Sequence, residues 1–426
     1  MNRQPLYKYL PRQLFTFFLT CAICVTVFGE TVAMAQESQT KLFTLQQILH
    51  LALTHNPTIK LSKGIIDEKE GERISATAYP NPSFELQIGH GRVLDPTGPS
   101  LTERYFTLSQ PLEWPGTRAA REQAANAAVG SAQAALEETH VNLRARVKQT
   151  FYELLIAQKR AELASKTLTI VQELRKAVKK RVDSGEAPPF EHVKVEVETL
   201  KAKKEVARFQ GAIRAAEAGL NTLTAGALGT KFSVQGTFTT AQKHLSIRQL
   251  SEQAFETHPT IQKFTKLVQE ATEHHRQEQH ARVPNITLSG SYQRDAGREG
   301  FVGGLTIPLP FWDQRQGQIA KAMGQQQQAE AKLQWAKHDI VKGITQQVQF
   351  SQTAATQIAT FEQGLLKQAK EAVRISQVSF QFGEANLLEV LDAQRVLWQT
   401  FLGYAEAQYE LSLALTELER LVGEEL

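Results

Sequence analysis

The chain has almost no cysteine, and beyond residue 35 it has no long apolar run. Its 426 residues include two cysteines, Cys21 and Cys24. The chain after these positions therefore has no disulfide, thiolate metal site or cysteine nucleophile. No stretch beyond residue 35 approaches the ~18 apolar residues of a membrane-spanning helix, and the mean hydropathy is −0.31. A membrane strand is not excluded, because it needs only ~9 to 11 alternating residues.

A large charge surplus and the common catalytic motifs are also missing. The formal net charge of +4 includes three cations and one anion within residues 1–35, which leaves +2 for the remainder. This small surplus does not indicate a nucleic-acid partner. The sequence has no Walker loop, GxSxG elbow or HExxH motif. We expect no catalytic residues and no cofactor, with an enzyme kept as one alternative class.

The segment EHHRQEQH at residues 273–280 is a candidate for metal binding, since imidazole and carboxylate groups bind transition metals. His275 and Glu278 are three residues apart and share a helical face. His274 and His280 are six apart and point to different sides. A solvated helical face explains the segment better than a metal site does, so we expect no resident metal.

Residues 1–35 have the features of a secretory signal peptide. Cations precede an apolar run over 14–29, and an A-x-A cleavage site follows at Ala33–Ala35. A membrane anchor is the alternative, but the run is short and ends in small residues. Lipid attachment at one of the cysteines has weak support, because Thr20 and Ile23 are poor residues to precede a lipidated cysteine.

The rest of the chain is one unit written twice. A chance match between helical segments explains one similar pair, but not a series of pairs in the same order. Three aligned pairs are TLQQILHLALTHNPTI at 44–59 with SIRQLSEQAFETHPTI at 246–261 (offset 202), LSQPLEWPGTR at 108–118 with LTIPLPFWDQR at 305–315 (offset 197), and SGEAPPFE at 184–191 with FGEANLLE at 382–389 (offset 198).

Each unit reads as helix, strand, loop, strand, long helix, turn, long helix. We expect the first repeat at 36–240 and the second at 241–426, joined by a Gly- and Thr-rich segment from Ala225 to Ala241. The predicted strands are about 82–93, 103–112, 284–294 and 300–309, and the predicted long helices are about 117–183, 187–225, 315–382 and 385–423.

The predicted strands alternate apolar and polar residues, as Ile286, Leu288 and Tyr292 show in NITLSGSYQ. A half-buried sheet on a globular core shows the same alternation, but these helices are far too long to cover such short strands. The pattern also fits a water-filled barrel in lipid. Four strands cannot close a barrel, for which ~8 is the practical minimum, and hydrocarbon does not tolerate open edges. Three copies supply twelve strands, so a trimer is the simplest closure.

The long helices predict a coiled tunnel. A continuous helix over 117–182 spans ~100 Å at ~1.5 Å per residue. The last helix carries a core-facing stripe, mostly apolar, at steps of three or four from Leu387 to Val422, a spacing that makes helices coil around one another. Polar residues such as Gln325–Gln328 suit the wall of a wet tunnel. Plain coiled-coil packing explains the stripe alone, so the channel interpretation depends on combining the helices with the strands.

Each helical hairpin turns at a Gly-Glu pair, Gly185-Glu186 and Gly383-Glu384. Glycine suits a left-handed helix end, and we place each glutamate in the first turn of the next helix, where the dipole favours an anion. A cap is the simpler explanation. The functional interpretation places the tips farthest from the membrane, with acids around the inner mouth: Asp183, Glu186, Glu191, Glu384, Glu389 and Asp392.

Proline and tryptophan follow the second strand of each repeat. Pro308 and Pro310 release the backbone from the sheet, and Trp312 suits a membrane interface. We expect these positions to mark the membrane–periplasm boundary. The first repeat has the same arrangement at Pro111, Trp114 and Pro115.

These residues resemble a known family. The paired THNPTI and THPTI segments, LSQPLEWPGTRAAR and LTIPLPFWDQRQGQIAKA are similar to TolC-type outer-membrane factors, the outer membrane efflux protein family. Within it they are most similar to the CzcC-like heavy-metal RND efflux branch. The resemblance covers essentially the whole chain after the signal segment. It implies a mainly α protein with a transmembrane β-barrel, in which three chains with four strands each form twelve strands continued by an α-helical periplasmic tunnel.

The resemblance also implies a function in the outer membrane, in contact with its lipid. A homotrimer would be the passive conduit of a tripartite efflux pump, receiving heavy-metal cations from an RND transporter and a periplasmic adaptor. It maps adaptor docking to Gly185, Glu186, Gly383 and Glu384, while the prolines of APPFEH leave the geometry of the first tip open and no gate residues are assigned. An exit duct for drugs or secreted protein, and a periplasmic coiled-coil adaptor, are the alternatives.

Overall fold

The computed structural model describes residues 41–92, 100–239, 245–295 and 298–425. The predicted signal peptide lies outside these residues. The elements are β1 (Lys41–Phe43), α1 (Leu45–His55), α2 (Pro57–Thr77), β2 (Ser83–Arg92), β3 (Ser100–Leu112), α3 (Pro115–Asp183), α4 (Pro189–Leu223), β4 (Phe232–Val234), α5 (Ile247–Thr257), α6 (Pro259–His280), β5 (Ile286–Asp295), β6 (Arg298–Thr306), α7 (Gln316–Thr360), a π-helical turn (Phe361–Leu365), α8 (Leu366–Gln381) and α9 (Leu387–Val422).

Four strands form one antiparallel sheet in the order β2-β3-β5-β6, which leaves β2 and β6 at its two edges. β3 begins at Ser100, three residues before the predicted start. β6 ends at Thr306, three residues before the predicted end, and pairs there with Thr287. The reason is Pro308, which has no N–H for the ladder and restricts the residue before it.

The helix α3 runs without interruption for 69 residues, a length of ~104 Å. α2 packs on α3 in the half nearer the sheet, and α4 packs on it in the distal half. Through contacts of α3 with α6 and α9, the helices form a row α2-α3-α6-α7 near the sheet and α4-α3-α9-α8 farther away. In the described part of the chain, no helix has the length and apolarity needed to cross a membrane.

The sequence predicted one continuous helix over 315–382, but the structure shows that this helix is interrupted. A π turn at Phe361–Leu365 separates α7 from α8. The offset between repeats grows from 197 at Arg315 to 198 at Gly383, so the stretch from Arg315 to Gly383 is one residue longer than its counterpart from Arg118 to Gly185. A π turn absorbs one extra residue. It therefore keeps the distal half of the helix in the same register as its counterpart.

The segment that joins the repeats is more than a linker. Its strand β4 pairs in parallel with β1, with Phe43 opposite Val234. Behind the pair, Ile48 of α1 and Phe151 of α3 are almost fully buried. The first predicted helix of the chain is also two helices, because Pro57 starts α2 after a non-helical Asn56. This small core fixes the start of the first repeat and the joining segment against the middle of α3.

Candidate functional site

One face of the four-stranded sheet presents large apolar side chains outward. The register places Leu86, Phe106, Tyr292 and Phe301 in one row across all four strands. The Tyr292 and Phe301 ring centroids are 5.2 Å apart, and those of Phe106 and Tyr292 are 6.2 Å apart. Phe301 is 86% exposed. A continuous exposed apolar face of this extent marks an interaction surface, and its alternation with a polar face fits lipid contact.

Polar and small residues predominate on the opposite face of the sheet. Thr107 Oγ1 and Ser291 Oγ are 2.9 Å apart across β3 and β5. Gly304 lies opposite Ser289, and a Cβ on this glycine would meet the Ser289 hydroxyl at 2.4 Å. Small and hydroxyl-bearing residues therefore make this face suitable as a wall in contact with water.

The structure places the predicted boundary residues at the two strand–helix connections. Pro111 is the penultimate residue of β3, Trp114 is the N-cap of α3 and Pro115 is its first residue. Pro308, Pro310 and Trp312 lie between β6 and α7, where Trp312 is 90% exposed. Their position at the membrane–periplasm boundary remains a prediction.

An arginine–glutamate pair holds each of these connections, which the sequence had not indicated. Arg121 of α3 binds both carboxylate oxygens of Glu113, with Nη2 to Oε2 at 2.8 Å. The hydrogen bond from Arg121 lowers the pKa of Glu113 below its ordinary value. Arg315, in a left-handed conformation with φ 64°, binds Glu278 of α6 at 2.6 and 2.9 Å. In each connection a guanidinium makes two hydrogen bonds to one glutamate, and this ion pair fixes the direction in which the chain leaves the strand.

The EHHRQEQH segment serves structural contacts. Glu278 is engaged by Arg315, and the buried Glu273 binds Arg276 at 3.0 Å through both oxygens. His275 Nδ1 lies 3.0 Å from the Gln326 side chain. Within the ranges that the structure describes, no three histidine, cysteine or acidic side chains are grouped as a metal site requires.

The two hairpin tips have the same backbone geometry. Gly185 and Gly383 both have φ 78°. The N–H groups of Glu186 and Glu384 donate to carbonyls five residues earlier, both at 2.8 Å, which closes a Schellman motif. The two prolines after the first tip cause no distortion, because Pro189 is the first residue of α4, where its missing N–H has no cost.

The placement of the tip glutamates in the following helices was wrong. Glu186 and Glu384 lie in the turns, each three residues before the next helix begins. The Schellman motif uses their N–H groups as its final donors, so they belong to the preceding helix end. Glu186 instead lies 3.9 Å from Arg181, in an exposed ion pair.

The other predicted mouth acids lie around the same tips. Glu389 takes part in the N-cap of α9, because its N–H donates to Asn386 Oδ1 at 3.1 Å. Asp392 forms an ion pair with Arg395. In the described residues no ion pair involves Asp183, Glu191 or Glu384. Their role at an inner mouth stays a prediction.

The two tips pack together as one unit. Val178 of α3, Val195 of α4, Phe380 of α8 and Val390 of α9 belong to one buried cluster. The guanidinium of Arg181 lies 4.8 Å from the centre of the Phe380 ring. A surface that uses the first tip therefore also includes the second.

A pair of helix junctions was missed by the sequence reasoning, although both lie in the repeated THNPTI and THPTI segments. Asn56 caps α2 by accepting from the Thr58 N–H at 2.9 Å, and its Nδ2 donates to the Leu223 carbonyl at the end of α4 at 2.8 Å. His258 caps α6 through Thr260 and reaches the Arg420 carbonyl at the end of α9. Desolvation lowers the pKa of His258.

Comparison with known proteins agrees with this architecture. The profile of the family described as "Outer membrane efflux protein" matches residues 48–226 and 250–424. The cobalt-zinc-cadmium resistance protein CzcC of Cupriavidus metallidurans is 27% identical over 382 residues, which are 89% of this chain and 90% of that protein.

Solved structures show the same fold. The structure of CusC, a protein that forms a transmembrane channel, superposes on this chain with a TM-score of 0.78 at 19% identity. The match covers 90% of this chain and 94% of CusC. The outer membrane protein VceC of Vibrio cholerae has a TM-score of 0.76 at 19% identity, covering 89% and 96%. The predicted fold class, long tunnel helices with barrel strands, is confirmed. The chain therefore belongs to the outer membrane efflux protein family, whose members are channels of the outer membrane.

Proposed function

We propose that three copies of this chain form a passive conduit that carries divalent metal cations out of the cell. The observation that carries the proposal is the sheet, which has a lipid-type face, a polar face and two unpaired edges. An outer-membrane efflux channel needs all three features. Two copies would supply eight strands, and the interior of such a barrel is filled by side chains. Twelve strands leave room for water, so three copies are the smallest number that gives a water-filled barrel.

The helices support the same closure. β2 and β6 are the edges of the sheet, while α2 with α4 and α7 with α8 are the ends of the helical row. Joining unlike ends of identical copies closes a ring when the rotation is right. Both ends carry exposed apolar side chains: Leu61, Ile74, Val193, Val197 and Leu200 on one, and Met323, Trp335, Phe350, Ile375 and Val378 on the other.

The two ends also match in height. Ser62 Oγ of α2 lies 3.1 Å from Thr139 Oγ1 of α3, and the repeat offset of 197 equates Thr139 with Ala336 of α7. Leu61 is 66% exposed and Trp335 is 67% exposed, each one residue from this level. A neighbouring copy can therefore cover both residues with one contact.

Engineered disulfides test this arrangement. In one copy α2 and α7 are separated by α3 and α6, roughly 25 Å at the usual helix spacing, whereas a disulfide needs Cα atoms within ~7 Å. The pair Leu61→Cys with Trp335→Cys should yield a covalent trimer on a denaturing gel, and no other cysteine is present after Cys24. The matched control pairs Leu61→Cys with Phe350→Cys, ~22 Å farther along α7, and should remain monomeric. Equal cross-linking of both pairs would contradict the ring.

Conductance in a planar bilayer tests the conduit itself. The purified trimer should open an ion-conducting path without any energy source, because a passive conduit does no work on the ions that pass through it. Variants with the exposed tip acids Asp183 and Glu384 changed to Asn and Gln should conduct anions relatively better if these acids surround the inner mouth. A complete lack of conductance in both proteins would refute the pore.

The family and one relative support a proposal for the partners and the cargo. The tips at Gly185, Glu186, Gly383 and Glu384 are proposed to dock a periplasmic adaptor linked to an RND transporter. The similarity to a cobalt-zinc-cadmium resistance protein supports divalent cations as cargo. In cells lacking their own channel, the protein expressed with its adaptor and transporter should restore growth in zinc, cobalt or cadmium. Restored drug export without metal export would favour the alternative duct.

A further inference from the structure

Two arginines lie side by side on the outward apolar face of the sheet. In the register of the sheet, Arg104 of β3 is directly opposite Arg294 of β5. Both residues follow the alternation that places Phe106 and Tyr292 outward, since each is two residues away from one of these rings. Both are exposed. The pair therefore belongs to the lipid-facing surface, one step beyond its aromatic row.

The height of the pair places it near the far edge of the apolar band. Eight residues separate Arg104 from Leu112 at the helical end of β3, or ~27 Å along a strand. With the tilt of ~40° usual for membrane barrels, this distance is ~20 Å along the membrane normal, against an apolar band of ~25 Å. A long arginine side chain reaches the headgroup layer from there. Because the helices lie on the periplasmic side, this layer is the outer leaflet.

One acid, Glu299, lies directly opposite Arg294 in the register, but its carboxylate is engaged elsewhere. In the part of the chain that the structure describes, neither guanidinium forms an ion pair. The carboxylate of Glu299 accepts a hydrogen bond from the Tyr292 hydroxyl at 2.9 Å. Like charges directly opposite in an antiparallel pair are destabilising. An external anion would remove this repulsion.

We infer that Arg104 and Arg294 form a site for the phosphate groups of outer-leaflet lipid. Two guanidinium forks on neighbouring strands match the oxygens of a lipid phosphate. The row of Leu86, Phe106, Tyr292 and Phe301 immediately below contacts the acyl chains of the same molecule. The inference depends on the membrane placement of the sheet and is independent of the cargo.

Binding of a phosphorylated lipid to the purified trimer tests the site. The probe is bisphosphorylated lipid A, compared with its dephosphorylated form, in detergent and by native mass spectrometry. Arg104→Gln with Arg294→Gln should weaken binding at least about tenfold, because charge-assisted contacts are lost, and should abolish the preference for the phosphorylated form. The double lysine variant should bind with intermediate affinity, since it keeps the charge and loses the forks.

The matched control is Arg298→Gln on the other face of the sheet, opposite Asp295, which should leave lipid binding unchanged. Trimer formation and conductance should be the same in all variants, which separates a lost site from a misfolded protein and from failure of the conduit. The inference is overturned if the double glutamine variant binds as the parent does, if the dephosphorylated lipid binds equally well, or if inorganic phosphate at equal concentration displaces the lipid.

Discussion

His258 joins the end of one helix to the start of another through its two ring nitrogens. Nε2 lies 3.0 Å from the carbonyl of Arg420 in α9, and Nδ1 accepts from the N–H of Thr260 in α6 at 3.1 Å. Because Nδ1 accepts, the proton must be on Nε2 and the ring is neutral. α9 and α6 are thereby joined end to end, alongside α7 and α8. Asn56 joins α4 and α2 in the same way.

Replacing this histidine should remove the hydrogen bonds that link α6 to α9 and should destabilise the protein. We expect His258→Ala to lower the free energy of unfolding by about 2 kcal/mol, because it removes an N-cap and leaves a buried carbonyl without its donor. His258→Asn should restore at least half of this loss, since Asn56 makes both contacts at the equivalent junction. Thermal midpoints of the detergent-solubilised protein measure the effect. Equal midpoints for the alanine and asparagine variants would show that the double contact is unimportant.

The same junction should respond to pH in a defined direction. Burial lowers the pKa of His258 below its ordinary value of 6.5, so the unfolded chain binds a proton at a higher pH than the folded one. The stability that the neutral ring contributes is fully present above about pH 6.5. It is lost as the pH falls toward the folded pKa.

Comparing the parent protein with His258→Asn isolates this contribution, because asparagine does not titrate. The difference between their thermal midpoints should be constant from about pH 7 to about pH 8 and should shift in favour of the variant by about pH 5. A difference that stays constant over the whole range would exclude His258 as the titrating group.

The π turn in the second long helix should tolerate the loss of one residue. Deleting Gly364 leaves the same spacing as in α3, so the helix can become regular while the tip at Gly383 stays in register. We expect the trimer and its thermal midpoint to be nearly unchanged. Circular dichroism and trimer bands on a gel measure the outcome.

Deleting Lys166 from α3 is the matched control. Lys166 is exposed and lies in regular helix, so its loss rotates everything beyond it by about 100°. The buried stripe of the distal half then turns toward water, and the trimer should be strongly destabilised. Equal damage from the two deletions would mean that the π turn is not the site of the extra residue.

The tip glycines should be needed for conformation rather than for space. A Cβ on Gly185 or Gly383 meets nothing within 4 Å, but a residue with a side chain at φ 78° is strained by about 1 to 2 kcal/mol. Gly185→Ala and Gly383→Ala should each increase hydrogen exchange at the Schellman amides. Gly211→Ala, in the regular helix α4 and equally unhindered, should stabilise slightly. If Gly211→Ala also increased hydrogen exchange at the Schellman amides, the added methyl group rather than the left-handed backbone would be the cause.

The sequence determined the features that depend on neighbours along the chain. Alternation over NITLSGSYQ predicted β5 because a strand has period two. The two Gly-Glu pairs predicted both tips because only glycine readily adopts the left-handed end of a helix. The change in offset from 197 to 198 also indicated one extra residue in the second repeat. It did not indicate where in the helix this residue is accommodated, so the position of the π turn could not be predicted.

Only the tertiary structure decided which distant groups meet. The Arg420 carbonyl lies 162 residues from His258, and Arg104 meets Arg294 only through the pairing of β3 with β5. Local periodicity determines which face of an element is apolar, because backbone geometry repeats every two or 3.6 residues. It cannot determine the partner of that face, since the partner depends on how all the elements pack together, as the order β2-β3-β5-β6 of the sheet shows.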